Sequence, residues 1–89
     1  MLKPSYARQF EKDLKKLLKS GKSGQKIKKL MLKLINQEKL EERHRAHQLK
    51  GEFKNRHECH IEPDWLLIYK LEEDRIIFEL TGSHSELFR

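Results

Sequence analysis

Three of the five histidines in this 89-residue chain, His47, His60 and His84, and with them Asp64, stand where loops or strand ends are expected and are of types that move protons. Histidine is the side chain whose ordinary pKa lets it serve as base or acid near neutrality, and positioned acid–base groups accelerate a reaction by about 10²–10⁴-fold. One reaction that needs such groups and no cofactor is the cleavage of RNA by its own 2′-hydroxyl. One group removes the hydroxyl proton, a cation steadies the charge building on the phosphate, and another group protonates the departing 5′-oxygen. Asp64 could orient an imidazole or favour its charged form. Lys54 and Arg56 could hold phosphate. Trp65 and Phe88 could stack on an unpaired base, worth about 1–3 kcal/mol per base.

These residues are far apart along the chain, so particular elements must gather them. The stretch His60-Ile61-Glu62-Pro63-Asp64-Trp65 holds a turn, because proline presets its own φ and Asp can bond its neighbouring backbone. Phe53 to Ile61 alternates in character before it. Phe53, Asn55, His57, Cys59 and Ile61 share one face, and Lys54, Arg56, Glu58 and His60 share the other. Trp65 to Leu71 reads as a central strand, Glu72-Glu73-Asp74 as a solvated hairpin turn, and Arg75 to Thr81 as the antiparallel partner. In that meander the last strand runs back toward the Pro63 turn, and this would bring His84 to His60 and Asp64. His47 lies before the first of these strands, in a polar stretch from Asn36 to Lys50 that reads as a loop with a fragment of helix.

Upstream the period is helical. Leu2 to Tyr6, with Pro4, would be at most an edge strand, and Ser5 is positioned to cap the helix that follows. Phe10, Leu14, Leu17 and Leu18 form one stripe, and Ile27, Leu30, Met31, Leu34 and Ile35 form a second. Between them Ser20-Gly21-Lys22-Ser23-Gly24 supplies a glycine suited to a left-handed helix end. Neither stripe can be buried without a partner. The architecture that satisfies both is α+β, a two-helix hairpin packed on one face of an antiparallel sheet, with Lys54, Arg56 and His60 looking out from a partly open second face.

Length leaves room for one domain, residues 1–89. Charged residues make up 38% of the chain and apolar residues 36%, yet the apolar ones are periodic, which argues against disorder. The net charge of +6 is unevenly spread: residues 1–50 carry fifteen Lys/Arg against five Asp/Glu, and residues 51–89 carry five against nine. A field of that kind attracts polyanions in a salt-sensitive way. No run of about 18 apolar residues and no signal-peptide core is present, so a soluble, non-exported protein is expected, without membrane contact. Cys59 is the single cysteine, which suits a reducing cytoplasm.

Plainer roles compete for several residues. His57, beside Phe53 and Cys59, reads as a hydrogen-bonded core or edge histidine. His44, between Arg43 and Arg45, reads as solvated. Trp65 opens an apolar run and fits a core position as well as a stacking platform. No HxxxH or CxxC pair is present, so neither a metal nor another cofactor is expected. The alternative to an enzyme is a basic module that occupies a nucleic acid or a protein without chemistry.

Three ordered blocks, Ala46-His47-Gln48-Leu49-Lys50-Gly51, Cys59-His60-Ile61-Glu62-Pro63-Asp64-Trp65-Leu66-Leu67-Ile68-Tyr69 and Thr81-Gly82-Ser83-His84-Ser85-Glu86-Leu87-Phe88, resemble the YafQ branch of the RelE/ParE toxin superfamily. The resemblance implies a microbial-RNase-like fold and a metal-independent endoribonuclease that cuts mRNA in the ribosomal A site. It also implies inhibition by a cognate ribbon-helix-helix antitoxin, with DNA contacted only through the toxin–antitoxin complex. Carried onto this chain, the branch's catalytic residues fall on His47, His60, Asp64 and His84, with its C-terminal aromatic on Phe88. His84 would be the proton donor and His47 or His60 the base. ParE-like relatives poison gyrase without nuclease chemistry, and the full histidine set argues against that role here.

Overall fold

The structure is a computed structural model that describes residues 1–51 and 55–88. Strand β1 (Lys3–Tyr6) is followed by α1 (Arg8–Lys19) and α2 (Gly24–Ile35). A 3₁₀ turn (Glu42–His44) leads to the two-residue strand β2 (His47–Gln48), then β3 (Arg56–Glu62), β4 (Trp65–Leu71), β5 (Arg75–Gly82) and a last single-turn helix, α3 (His84–Leu87). Among the described residues the strands form one sheet in the order β1-β5-β4-β3-β2.

The fold is α+β as expected, with one difference in the sheet. β2 to β5 pair antiparallel, whereas β1 runs parallel to β5, from Lys3 opposite Arg75 to Tyr6 opposite Phe78, so the sheet is mixed. The helical hairpin lies between β1 and the meander and returns the chain to the far side of the sheet. With Pro4 unable to donate, β1 can serve only as an edge. Its ends are tied by Lys3 N–H to the Asp74 carbonyl and Ala7 N–H to the Phe78 carbonyl, both at 2.9 Å.

Ser5 therefore lies inside β1 and does not cap α1; Ala7 holds that position with no side-chain bond. Helix α2 is capped by Ser23, whose hydroxyl accepts the Lys26 N–H. Gly21, at φ +99°, supplies the left-handed residue after α1, a conformation that costs a side chain most.

One face of the sheet packs under the helices. Phe10, Ile27, Leu30 and Ile35 meet Cys59, Ile61, Trp65, Leu67, Tyr69, Ile76 and Phe78 in a continuous apolar core. Full burial of a side chain of this size contributes about 1.5–3 kcal/mol. Leu66 and Ile68 point to the opposite face and are also buried, so that face is closed at its centre and polar only toward its edge. Among the described residues no helix is long and apolar enough to cross a membrane.

Candidate active site

The polar edge begins at β2. His47 lies opposite Glu58 and Gln48 opposite His57, so His47 and Glu58 share a sheet face. His60, two residues along β3, shares it too. Glu58 thus has one imidazole beside it and another beyond it. Nε2 of His60 lies 3.3 Å and Nε2 of His47 3.7 Å from the same atom, Oε1 of Glu58. Glu58 is 6% exposed, a buried carboxylate.

The outer nitrogens of both rings are fixed by backbone. A carbonyl only accepts, so Nδ1 carries the hydrogen in each case. His60 donates to Pro63 O at 3.2 Å and His47 to Arg45 O at 2.6 Å. Arg45 reaches that position from a left-handed backbone at φ +44°. His44, expected to be solvated, is half-buried and donates its own Nδ1–H to the carbonyl of His60 at 2.6 Å. It covers a β3 carbonyl beyond the end of β2.

The β3–β4 turn brings in the other half of the site. A register shift between His60 and Glu62 marks a bulge, a feature that re-aims neighbouring side chains. His60 pairs with Leu66 and Leu66 with Gly82, so the three form a row across the sheet. With strands about 4.8 Å apart, His60 and Gly82, the last residue of β5, are separated by roughly 10 Å. Asp64 closes the gap, its Oδ1 accepting the backbone N–H of His84 at 3.0 Å. Through that bond it holds the helix on which the His84 imidazole is carried. α3 is further fixed by a capping box, Ser83 N–H to Glu86 Oε1 at 2.8 Å and Glu86 N–H to the Ser83 hydroxyl at 3.3 Å. The His84 side chain is exposed, and its ring is tilted against that of Phe88 with centroids 5.1 Å apart.

Two expected phosphate or base contacts are engaged elsewhere. Arg56 forms a two-pronged ion pair with Glu79, at 2.7 and 3.2 Å, which raises its pKa and counters its charge. Trp65 is 1% exposed, donates its indole N–H to the Thr81 hydroxyl at 3.0 Å and has the Lys22 ammonium 5.7 Å over its ring, so it is covered and no base can stack there. The Thr81 hydroxyl donates in turn to Leu66 O. Lys54 lies outside the described residues.

Of the remaining titratable groups, His57 stacks on Tyr69 at 5.5 Å, and burial followed by the charge of His47 holds it below its usual range. Burial, with the Glu58 charge adding, pushes the Cys59 thiol up to about 12, so it is a core thiol and not a nucleophile. Among the described residues no group of three or more His, Cys, Asp or Glu side chains is arranged to hold a metal ion.

The residues missed from the sequence are Glu58 and His44. Alternation places Glu58 on the face of His60, but nothing local signals that β2 will arrive and bury it.

Fold and site together define a class, small α+β proteins that gather histidines and carboxylates at the edge of one sheet face. A family model described as the bacterial toxin of type II toxin–antitoxin system, YafQ, matches residues 2–89. The mRNA interferase toxin YafQ of Escherichia coli K12 is 43% identical over 84 residues, which cover 93% of this chain and 91% of that protein. The crystal structure of the Escherichia coli DinJ-YafQ complex matches with a TM-score of 0.93 at 40% identity, over 100% of both chains. That of a copper-bound mutant toxin from Helicobacter pylori matches with a TM-score of 0.95 at 41% identity, over 99% and 100%. This chain belongs to the YafQ family of bacterial type II toxins.

Proposed function

We propose that this chain is an mRNA interferase, the toxin of a type II toxin–antitoxin pair, which cuts message in the ribosomal A site by attack of a 2′-hydroxyl on the adjoining phosphate. His84 gives its proton to the departing 5′-oxygen, and His47 or His60 takes the 2′-hydroxyl proton. The 2′-O–P bond forms as the P–O5′ bond breaks. No metal is assigned a part.

The observation that carries this reading is the bond from Asp64 in the Pro63 turn to the His84 backbone. It ties the start of α3, which carries the exposed His84, to the turn that follows His60. Acid and base must stand on opposite sides of the phosphate, and the two strand spacings between His60 and Gly82, roughly 10 Å, leave room for one. With Arg56 held by Glu79, the charge on the phosphate is met by the proton-bearing imidazoles. Phe88, tilted on His84, is the aromatic side chain that stands beside the acid. The relatives named interferases and the DinJ-YafQ complex support the same activity and an antitoxin partner for this chain.

The test is expression of parent and His84→Ala chains without antitoxin, with 5′ ends of cellular transcripts mapped after brief induction. Cleavage should fall by about 10²–10⁴-fold in the variant, while its melting temperature holds, since the side chain is exposed. A variant that arrests growth and cuts message like the parent would remove His84 from the acid role. If neither chain cuts, and charge reversal at the exposed Lys15, Lys16, Lys28 and Lys29 abolishes toxicity, the chain is a basic binding module.

A further inference from the structure

Strand β5 loses its outer neighbour before it reaches the site. β1 pairs with it only from Arg75 to Phe78, and among the described residues no other strand lies on that side. The register with β4 shifts at the same point: Tyr69 faces Phe78 and Ile68 faces Leu80, so Glu79 is an extra residue, and such a bulge bends its strand. Yet it is the segment from Glu79 to Gly82 that leads into α3 and His84. A strand without a neighbour leaves backbone N–H groups in need of an acceptor.

The acceptor comes from α1. Oδ2 of Asp13 takes the backbone N–H of Thr81 at 3.2 Å, across 68 positions of the chain. Oδ1 of the same carboxylate takes the side-chain N–H of Gln9, one turn earlier on the helix, at 2.8 Å. Both oxygens are engaged, which holds the side chain in one direction. Asp is a poor choice for a helix interior, because its carboxylate competes for backbone bonds, and Asp13 stands in the middle of α1. The bond to Thr81 gives it a tertiary use there. Thr81 is buried and is tied to β4 as well, its hydroxyl accepting the Trp65 indole N–H and donating to Leu66 O at 2.8 Å. It is therefore a fixed point just ahead of His84. α3 itself buries no residue, and the ion pair that joins it to α1, Lys16 with Glu86 at 3.6 Å, is exposed and screened by solvent. The last helix thus takes its place from the end of β5 and from the Asp64 bond.

We propose that Asp13 is a positioning residue for cleavage: from α1 it fixes Thr81, and through Thr81 the place of the His84 acid, with Gln9 holding the carboxylate. This rests on the nuclease reading above. Asp13 touches no substrate. Its loss leaves the imidazole present but displaced, and a displacement of about 1 Å costs about 10²-fold in rate.

The test is Asp13→Ala, with Asp13→Asn, which keeps an acceptor for Thr81, and Gln9→Ala. Cleavage of a defined mRNA on translating ribosomes is compared with cleavage of the same message carrying sulfur in place of the 5′-oxygen at the scissile bond. Amide exchange of Thr81 and His84 is followed in the full chain. A thiol has a pKa of about 8.5, so the departing sulfur leaves as a thiolate and needs no acid. In Asp13→Ala kcat on the natural message should fall by about 10- to 100-fold, with KM within about twofold. The sulfur substrate should be cut at the parent's rate, and both amides should lose protection. Asp13→Asn should recover most of the loss. Should Asp13→Ala not fold, Gln9→Ala, changed at an exposed position, carries the comparison, with a smaller fall on the natural message and none on the sulfur one. Parent-like kcat in the variant, or an equal loss on both messages, would overturn the proposal while leaving the nuclease intact. A parent chain that cuts no RNA would sink the nuclease reading, and the two amides would still decide whether Asp13 holds the strand end.

Discussion

His84 is exposed and Phe88 half-buried, and their rings meet in a tilted contact with centroids 5.1 Å apart. If a base stacks there, Phe88→Ala loses about 1–3 kcal/mol of substrate binding, read as a rise in KM with kcat little changed. Trp65 should behave in the opposite way. Its ring is enclosed and its N–H is paired with Thr81, so Trp65→Phe costs about 0.5–1.5 kcal/mol of stability in urea denaturation and leaves KM alone. A Trp65→Phe chain with parental stability and a raised KM would contradict this assignment. The two aromatics are separated by burial, which is decided by how β4 is covered and not by residue type.

At the scale of elements, what matters is that α3, a single helical turn, is held to the Pro63 turn by one carboxylate and closed by its own cap. The bond to His84 needs an acceptor and not a charge. Asp64→Asn should therefore keep cleavage within about tenfold, whereas Asp64→Ala frees α3, costs about 0.5–2 kcal/mol as for a lost helix cap, and falls toward the His84→Ala level. An Asn variant as inactive as the Ala variant would mean that the charge itself acts on the substrate. The cap has a pH signature. The backbone N–H of Ser83 first, and its hydroxyl next, hold the Glu86 carboxyl below its ordinary 4.5. A carboxyl whose folded pKa is lowered stabilises fully above its unfolded value, and that contribution is lost as pH falls through the folded value. Amide protection across α3, taken against the intrinsic exchange rate at each pH, should thus fall below about pH 4.5, and Ser83→Ala should lower it at every pH.

Two further groups set the acid response of the whole molecule. Lys26 and Lys22 hold the Glu62 carboxyl below its usual range, joining α2 and the inter-helix turn to the end of β3. That contribution is likewise present above about pH 4.5 and fades below it. His57 acts in the other direction: half-buried and stacked on Tyr69, it resists the proton that the unfolded chain accepts at about 6.5. Between its folded value and about 6.5 the unfolded chain binds more protons, so stability rises with pH through that window. His57→Phe keeps a ring on Tyr69 and removes the titration. Its stability should be flat just below about pH 6.5 where the parent's slopes, and a variant with the parent's slope would exclude His57 as the cause.

Much of this architecture was legible because it is local. Alternation from Arg56 to Glu62, the apolar run from Trp65 to Leu71 and the acidic turn at Glu72 to Asp74 each select one conformation from their own residues. The two helical stripes do the same, and Ser20-Gly21 ends a helix by its own backbone chemistry. These decided the α+β class and placed His84 on the return strand's end, next to the Pro63 turn.

Tertiary structure alone decided the pairings. A four-residue strand containing proline carries no mark of the strand it will join, so the parallel union of β1 with β5 was not in the sequence. Nor was the arrival of two-residue β2 beside β3, which turned Glu58 from a surface carboxylate into a buried one between two imidazoles. Arg56 and Trp65 changed meaning for the same reason. Residue type and period fix what a side chain can do, but whether it faces solvent, an ion partner or the core depends on which distant segment packs over it.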